Sequence, residues 1–310
     1  MTNPNTVRVI AFPGAPNLPA FAAIEHGYFD AEGIKVTLET TPSSVYQMEK
    51  FAAGEFDVAF TAFDNIVAYS EGQGAVAIGG NPDFRVIAGA TQLELSFVVS
   101  PGIGSYADLK GRSIALDALS TGFAFVLYDM LERGGLKEGE YSFATVGATP
   151  QRWESVKSGD HAGTLTIEPF TSIAARQGYN VLDTSTRLYD SYQGGIIATR
   201  KGWADANAES VRAFIRGYVK GLEWTLAPET SAAAEALLVA RMPQIQPAAV
   251  KPVMASLRSP RSGLTPGADV LRDGMATVLQ LRSRYGKGKT LDDIEKYLDL
   301  SFHRDAVRTR

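Results

Sequence analysis

Short apolar segments alternate with amphipathic helices in two successive series, and this alternation limits the possible folds more than any other feature. The first series ends at about Gln92 and the second begins there. Strands that alternate with helices across short turns favour a mostly parallel sheet with helices packed on it. Two such series predict two similar α/β lobes, between which the chain crosses twice.

The predicted strands and helices follow from the spacing of apolar residues, from Gly and Pro residues that interrupt regular structure, and from helix-capping residues. We predict strands at residues 7–12, 35–39, 56–61, 75–80, 84–91, 95–99, 113–116, 141–146, 164–167 and 196–199. We predict helices at residues 18–27, 45–53, 66–71, 122–133, 150–158, 206–226, 231–242, 248–257, 266–284 and 290–297.

Size and charge exclude several classes of protein. The 310 residues, 45% of them hydrophobic, suit one large or two medium domains with ample cores. Lys and Arg number 30 against 34 Asp and Glu, and basic residues cluster only in a tail with Arg304, Arg308 and Arg310. Nucleic-acid binding needs a clustered basic surface, so we expect none. No stretch approaches the length of a transmembrane helix.

Residue types also argue against metal and thiol chemistry. The chain has no cysteine, which excludes disulfides, thiol catalysis and thiolate metal sites. Its three histidines, His26, His161 and His303, stand far apart without ligand spacing. The GxxxxGK[ST] phosphate loop is absent, and no catalytic set of residues stands out. We therefore expect no metal, no cofactor and no enzymatic activity.

The stretch GEFDVAFTAFDN, residues 54–65, predicts one wall of a small-molecule pocket. Phe60, Thr61, Phe63 and Asp64 lie at or just after the predicted strand 56–61. In an open α/β sheet, ligands bind outside the carboxyl ends of strands. Asp64 would pair with an ammonium, an amidine or a heterocycle donor. The alternative is that Asp64 only caps the helix that follows.

Longer phrases carry a resemblance to a known family. They are AAIEHGYFDAEGIKVTLE, GEFDVAFTAFDN, YADLKGRSIALDALSTGFAFVLYDML and ATRKGWADANAESVRAFIRGYVKGLEWTLA. The chain resembles the NMT1/THI5-like substrate-binding proteins of bacterial ABC importers for nitrate, sulfonates, taurine and thiamine-pyrimidine precursors. The phrase at residues 27–34, and residues 108–111 with the later Ser-Thr-Gly, are the most recognisable parts.

This resemblance implies a type II periplasmic-binding-protein fold that closes on its ligand. Lobe 1 would comprise residues 1–93 plus 195–310 and lobe 2 residues 94–194, with hinges near Gln92 and Gly194. It also implies a monomer that delivers a small molecule to an ABC permease in the membrane, from the periplasm. Residues 1–6 are short and polar, which predicts no signal peptide in this sequence and leaves a cytoplasmic location as the alternative.

Two Ser/Thr segments have both a binding and a capping interpretation. Ser120, Thr121 and Gly122 precede an apolar helix, whose first N–H groups attract anions. In sulfonate and nitrate binders of the resembled family, the equivalent segment faces the cleft. Ser and Thr are also ordinary N-caps. Ser44, with Ser43, has the same two interpretations, and capping is favoured for this pair.

Further candidates lie in the loops next to predicted strands. Glu168 follows strand 164–167, and the resemblance implies that it contacts ligand or braces the hinge, a lobe-to-lobe salt bridge being the alternative. Tyr192 and Gln193 precede the returning strand, near the crossover between lobes. Asn17 in the first loop is placed to line the cleft.

These features lead to three hypotheses. The first is a binder of a small polar organic molecule: a sulfonate, an aromatic acid or a pyrimidine-like compound. Asp64 and its flanking rings favour an aromatic or amino group over bare nitrate. The second is an enzyme on the same fold, although the cysteine-rich motif of the related pyrimidine synthase and the cysteine nucleophile of the related desulfinase are missing. The third is a cytosolic ligand sensor.

Overall fold

The computed structural model describes residues 5–80 and 83–308. Residues 1–4, part of the segment predicted to lack a signal peptide, and Arg310 of the basic tail lie outside the described residues. The strands are β1 (Asn5–Ala11), β2 (Ile34–Thr40), β3 (Val58–Ala62), β4 (Phe84–Thr91), β5 (Ser96–Val99), β6 (Ser113–Leu116), β7 (Ser142–Thr145), β8 (Gly163–Thr166), β9 (Asn180–Thr184) and β10 (Gly195–Arg200). The helices are α1 (Leu18–Glu25), α2 (Tyr28–Ala31), α3 (Ser44–Ala52), α4 (Phe63–Ser70), α5 (Gly122–Arg133), α6 (Thr149–Lys157), α7 (Phe170–Arg176), α8 (Ser185–Leu188), α9 (Lys201–Ala206), α10 (Ala208–Leu226), α11 (Ser231–Arg241), α12 (Pro247–Leu257), α13 (Arg272–Tyr285) and α14 (Ser301–Arg308).

The strands form two five-stranded sheets with the same internal plan. The first has the order β2-β1-β3-β10-β4 and the second β7-β6-β8-β5-β9. In the first sheet β10 runs antiparallel to both neighbours, and in the second β5 does so. Each reversed strand is the first one after the chain has crossed from the other sheet. Two α/β lobes of the predicted class are therefore confirmed.

We call the first sheet with its helices lobe 1 and the second lobe 2. The predicted boundaries after residues 93 and 194 fall in the connections β4–β5 and β9–β10. These connections run side by side: the Gly194 N–H donates to the Gln92 carbonyl (2.9 Å), and Gln193 Nε2 donates to the Thr91 carbonyl (3.0 Å). The two connections between the lobes are thus joined to each other by hydrogen bonds.

The C-terminal helices extend lobe 1, and one of them reaches lobe 2. Helix α10 packs along α1, whereas α13 contacts α4 of lobe 1 and α5 of lobe 2. One buried apolar cluster accordingly runs from Phe63 through Met275 to Phe125 and Phe97. Burial of this continuous surface holds the lobes together beyond the hinge. Among the described residues, no helix has both the length and the apolarity needed to span a bilayer.

Two predicted elements are wrong. Residues 75–80 form an irregular, bent segment rather than a strand: the chain bends at Gly72 and Gly80, which have positive φ, and Val76 and Ile78 pack on the core without strand pairing. The predicted helix 290–297 is only the 3₁₀ turn Glu295–Tyr297. In both places apolar residues mark burial without regular structure.

Candidate ligand-binding cleft

A cleft lies between the lobes, where the carboxyl ends of β1, β3, β6 and β8 meet. This is the edge at which α/β sheets bind ligands. It contains about 780 Å³ free of protein atoms, including its solvent-open part. Its lining residues are Phe12, Gly14, Pro16, Asn17, Ser44, Phe60, Thr61, Ala62, Asn65, Ala90, Thr91, Leu93, Asp117, Thr121, Gly122, Phe123, Thr149, Arg152, Ile167, Gly194, Gly195 and Ile196.

The lobes already touch each other across this cleft. The Ala148 N–H donates to the Pro42 carbonyl (2.8 Å), and the Ala15 N–H donates to the Glu168 carbonyl (3.0 Å). The Ser44 N–H of lobe 1 donates to the Asp117 carboxylate of lobe 2 (3.0 Å). These bonds describe a closed arrangement of the two lobes.

The walls are mostly apolar and come from both lobes. Lobe 1 contributes the rings of Phe12 and Phe60, and lobe 2 contributes Phe123 and Ile167. Phe60 is held against Tyr218 of α10, with ring centroids 5.3 Å apart. The rings on both sides of the cleft suit a ligand that has an apolar or aromatic body, and the polar residues between them can fix its orientation.

The two adjacent serines of α3 have different roles. Ser43 is the N-cap, and its Oγ accepts the Tyr46 N–H (3.1 Å). Ser44 lines the cleft and is 2% exposed, yet its Oγ has no hydrogen-bond partner within the described part of the chain. A buried hydroxyl without a partner is unfavourable, so Ser44 is the stronger candidate for a ligand contact.

At the start of α5, both interpretations of Thr121 fit the geometry. Its Oγ1 accepts the Ala124 N–H (3.3 Å) as an N-cap, and the residue also lines the cleft together with Gly122. Ser120 is not part of the lining, and its carbonyl accepts a hydrogen bond from Arg282 Nη2 (2.8 Å). At the start of this helix, Thr121 and Gly122 therefore line the cleft, and Ser120 does not.

Asp64 is neutralised by Arg282 and does not line the cleft. Its two oxygens accept hydrogen bonds from Arg282 Nε (2.6 Å) and Nη2 (2.7 Å), and both side chains are 1% exposed. Asp64 is not a helix cap either, because α4 begins at Phe63 and its N-cap is Ala62. Asp64 packs directly against Gly122, because a Cβ on Gly122 would lie 2.6 Å from the Asp64 Cβ.

Two further predicted residues also lie outside the lining. Phe63 is fully buried and packs edge-on against Tyr297, with centroids 5.9 Å apart. Glu168 turns towards α7, where it accepts hydrogen bonds from Ser172 Oγ (2.8 Å) and N–H (3.3 Å). Burial raises the pKa of Glu168, although these bonds oppose the shift and the charge of Glu94 adds to it. No salt bridge of Glu168 occurs in the described ranges, so the bracing contact between lobes is its carbonyl.

Tyr192 and Gln193 lie in the connection between β9 and β10 and outside the cleft lining. The Gln193 side chain donates to the Gly195 carbonyl (2.8 Å) and accepts the Leu271 N–H (2.8 Å). Tyr192 is buried beside Tyr189, with stacked rings 6.0 Å apart. Of the twelve predicted site residues, the structure brings six together in the lining: Asn17, Ser44, Phe60, Thr61, Thr121 and Gly122. The other six lie outside it: Phe63, Asp64, Ser120, Glu168, Tyr192 and Gln193.

Asp117 and Arg152 are charged lining residues that the sequence analysis missed. Asp117 directly follows β6, so the strand-end argument used for Asp64 would have found it. Arg152 lies within α6 and carries no such signal. It is 3% exposed, and within the described part of the chain it donates only to neutral oxygens, those of Thr164, Gly147, Thr149 and Leu165. Burial lowers the pKa of Arg152 to about 10, an effect that the charge of Asp117 opposes.

Two α/β lobes closing on a cleft at their strand ends define a two-lobed binding-protein fold. The sequence model described as "NMT1/THI5 like" matches residues 16–232, and the chain therefore belongs to this family. No curated protein sequence matches it significantly.

Solved structures share the fold over nearly the whole chain. The periplasmic nitrate-binding protein NrtA from Synechocystis PCC 6803 superposes with a TM-score of 0.83 at 14% identity, covering 98% of this chain and 89% of NrtA. The periplasmic aliphatic sulphonate-binding protein SsuA from Escherichia coli has a TM-score of 0.68 at 19% identity, covering 97% and 100%. A Cys-to-Ser mutant of DszB in complex with biphenyl-2-sulfinic acid has a TM-score of 0.69 at 14% identity, covering 99% and 100%. Fold and family together indicate a solute-binding protein of ABC import systems.

Proposed function

We propose that this protein is the solute-binding component of a bacterial ABC importer and captures a small organic molecule with an apolar body and a polar group. The observation that carries the proposal is the Ser44 hydroxyl, which is buried, unpartnered and placed on the wall of a ring-lined cleft between two lobes. The partner would be a membrane permease, met in the periplasm by a monomeric binder.

Capture would work by a shift between open and closed lobes. A ligand in the cleft touches Ser44 and Phe60 from lobe 1 and Thr121 and Phe123 from lobe 2 at the same time. Such a ligand gains contacts in the closed form that the open form does not offer, so it stabilises closure by its difference in affinity.

The chemistry of the lining favours a sulfonate, an aromatic acid or a pyrimidine-like compound over bare nitrate. Nitrate has no apolar part to place against Phe12, Phe60 and Phe123, and it would leave those walls without a partner. An organic body fills them, and its polar group satisfies the Ser44 hydroxyl. Asp64 gives no support to this choice, since Arg282 already neutralises it.

The experiment compares the two serines. Ser44→Ala should weaken binding of the best ligand from a thermal-shift panel of sulfonates, aromatic acids, pyrimidines and nitrate by about tenfold, with the melting temperature of the free protein unchanged. Ser43→Ala is the matched control: loss of the cap should cost about 1 kcal/mol of stability and leave the Kd unchanged. If only inorganic anions stabilise the protein, the proposed ligand class is wrong.

We also propose that the protein binds its ligand without converting it, and this is measured separately. The chain has no cysteine, so it has no thiol nucleophile. Ligand recovered after prolonged incubation with the protein should have an unchanged mass. A product that accumulates with time would contradict the proposal.

A further inference from the structure

We propose that Asp117 makes this cleft selective for ligands whose polar group is an N–H donor, such as an amino substituent or an aminopyrimidine. This inference rests on the proposed function and narrows its ligand class. It follows from three features of the cleft: the acceptor sites of Asp117 that are left open, the unpartnered hydroxyl of Ser44, and the hydrogen bonds that hold Arg152 within lobe 2.

The carboxylate of Asp117 is buried with most of its acceptor capacity unused. It is 8% exposed, and the one donor that its two oxygens accept among the described residues is the Ser44 N–H, at 3.0 and 3.3 Å. A carboxylate offers about four lone-pair sites. No cation of the described residues lies within 4.0 Å of it. A buried carboxylate in this state is costly unless a further donor completes it.

The Ser44 hydroxyl adds an acceptor and a rotatable donor at the same place. Because the Ser44 backbone is bonded to Asp117, its unpartnered Oγ and the carboxylate belong to one section of the cleft wall. An amino group carries two N–H donors. One would meet Asp117 and the other Ser44, and both groups would then be satisfied.

Burial lowers the pKa of Arg152 and the charge of Asp117 opposes this shift, so the two charges interact favourably without a direct hydrogen bond between them. The Arg152 guanidinium donates to Thr164, Gly147, Thr149 and Leu165, and these bonds fix it within lobe 2. Arg152 therefore donates no hydrogen bond to Asp117 and does not compete with a ligand for the Asp117 oxygens. A ligand whose polar end has only acceptor atoms would therefore place them against the Asp117 carboxylate without donating a hydrogen bond to it. Sites built to accept a ligand N–H bind analogues that lack this N–H much more weakly.

The test uses pairs of probes in which an amino group is exchanged for a methyl group of similar size. They are aminobenzenesulfonate and methylbenzenesulfonate, aminoethanesulfonate and propanesulfonate, and aminopyrimidine and methylpyrimidine. Calorimetric titration of the wild-type protein should show at least tenfold tighter binding of the amino member in the pair that binds best. Asp117→Asn should reduce this ratio to threefold or less. The ratio is the readout because any effect of the substitution on lobe closure acts equally on both members.

Asp205→Asn is the matched control, since it removes the same charge from an exposed side chain paired with Lys201 outside the cleft. It should keep the wild-type ratio. If Asp117→Asn fails to fold, Asp117→Ser serves in its place with the same expected loss of preference. Methyl members that bind the wild type as tightly as amino members would overturn the role of Asp117 while leaving the proposed function standing. A ratio that survives in the Asp117 variants would do the same. If no probe of any pair binds the wild type, the proposed function fails and this inference fails with it.

Discussion

Asp64 and Asp117 occupy comparable positions in the two lobes and have opposite environments. Each comes at the carboxyl end of a buried strand, β3 or β6, and each is almost completely buried. Asp64 accepts hydrogen bonds from Nε and Nη2 of Arg282, a residue 218 positions further along the chain. Asp117 receives one backbone N–H and faces the cleft. A strand-end carboxylate is thus a binding candidate only when no cation from elsewhere in the fold reaches it.

The largest expected effect comes from removing the partner of Asp64. Arg282→Ala should lower the free energy of unfolding by about 3–5 kcal/mol, because it leaves a carboxylate buried without compensation. Urea denaturation measures this. The paired replacement of Asp64 by Leu and Arg282 by Met should recover a large part of the loss. A single variant as stable as the wild type would mean that Asp64 is not buried as an ion pair, and the contrast with Asp117 would disappear.

A third buried acid, Asp129, accepts hydrogen bonds from helix α13, and its substitution measures how much these contacts contribute to stability. It accepts hydrogen bonds from Tyr189 (2.7 Å), Arg133 Nε (2.8 Å), Tyr285 (3.1 Å) and Arg284 (3.2 Å), the last two from α13. Asp129→Asn should destabilise the protein by about 1.5–3 kcal/mol, since these bonds involve a charged group.

The control for Asp129 is a carboxylate on the same helix with the same α13 partners. Glu132 contacts Arg284 and Tyr285 but is more than half exposed. Glu132→Gln should change the stability by less than about 1 kcal/mol because solvent screens it. Equal losses in denaturation midpoints for the two variants would show that burial is not what distinguishes them.

A smaller effect is expected for the stability of Asp117→Asn. The asparagine Oδ1 can still accept the Ser44 N–H, and no buried cation loses a direct partner. The unfolding free energy should therefore change by less than about 1 kcal/mol. Thermal denaturation beside the Arg282→Ala variant measures the difference directly. A loss as large as that of Arg282→Ala would indicate that Asp117 is a structural residue like Asp64.

The smallest effect concerns the pH dependence of stability through Glu168. Burial raises the pKa of this carboxyl in the folded state, so the folded protein holds the proton more tightly than the unfolded chain does. Its contribution to stability is therefore greatest below the ordinary Glu pKa and is lost as the pH rises through the raised value. Glu168→Gln should remove this decline, which denaturation midpoints between about pH 4 and about pH 7 would show. Identical pH slopes in the variant and the wild type would contradict it.

Local pattern predicted much of the architecture. The strand at residues 113–116 and the helix at residues 122–133 coincide with β6 and α5, because apolar spacing and a Thr cap act within one element. Strand β9 and helix α7 were missed, and residues 75–80 were assigned wrongly. Whether an apolar segment forms a strand depends on an open edge in the sheet, which local pattern does not contain.

The sequence predicted several residues of the cleft lining but not the environments of its charged side chains. The strand-end rule pointed to Phe60 and Thr61, and cap chemistry pointed to Thr121 and Ser44; the structure places all four in the lining of the cleft. The sequence alone could not show that the Ser43 hydroxyl caps the helix while the Ser44 hydroxyl does not. The roles of the two aspartates were missed for a similar reason, because each depends on contacts between distant segments.

The sequence by itself determined the order of strands and helices, the two-lobed family fold and the edge at which a ligand would enter, because period, turns and caps are local properties of the chain. Only the tertiary structure decided which carboxylate faces the cleft. Helix α13 brings Arg282 to Asp64, and no comparable cation reaches Asp117 among the described residues. Electrostatic pairing depends on distance in space, and only the folded chain sets that distance.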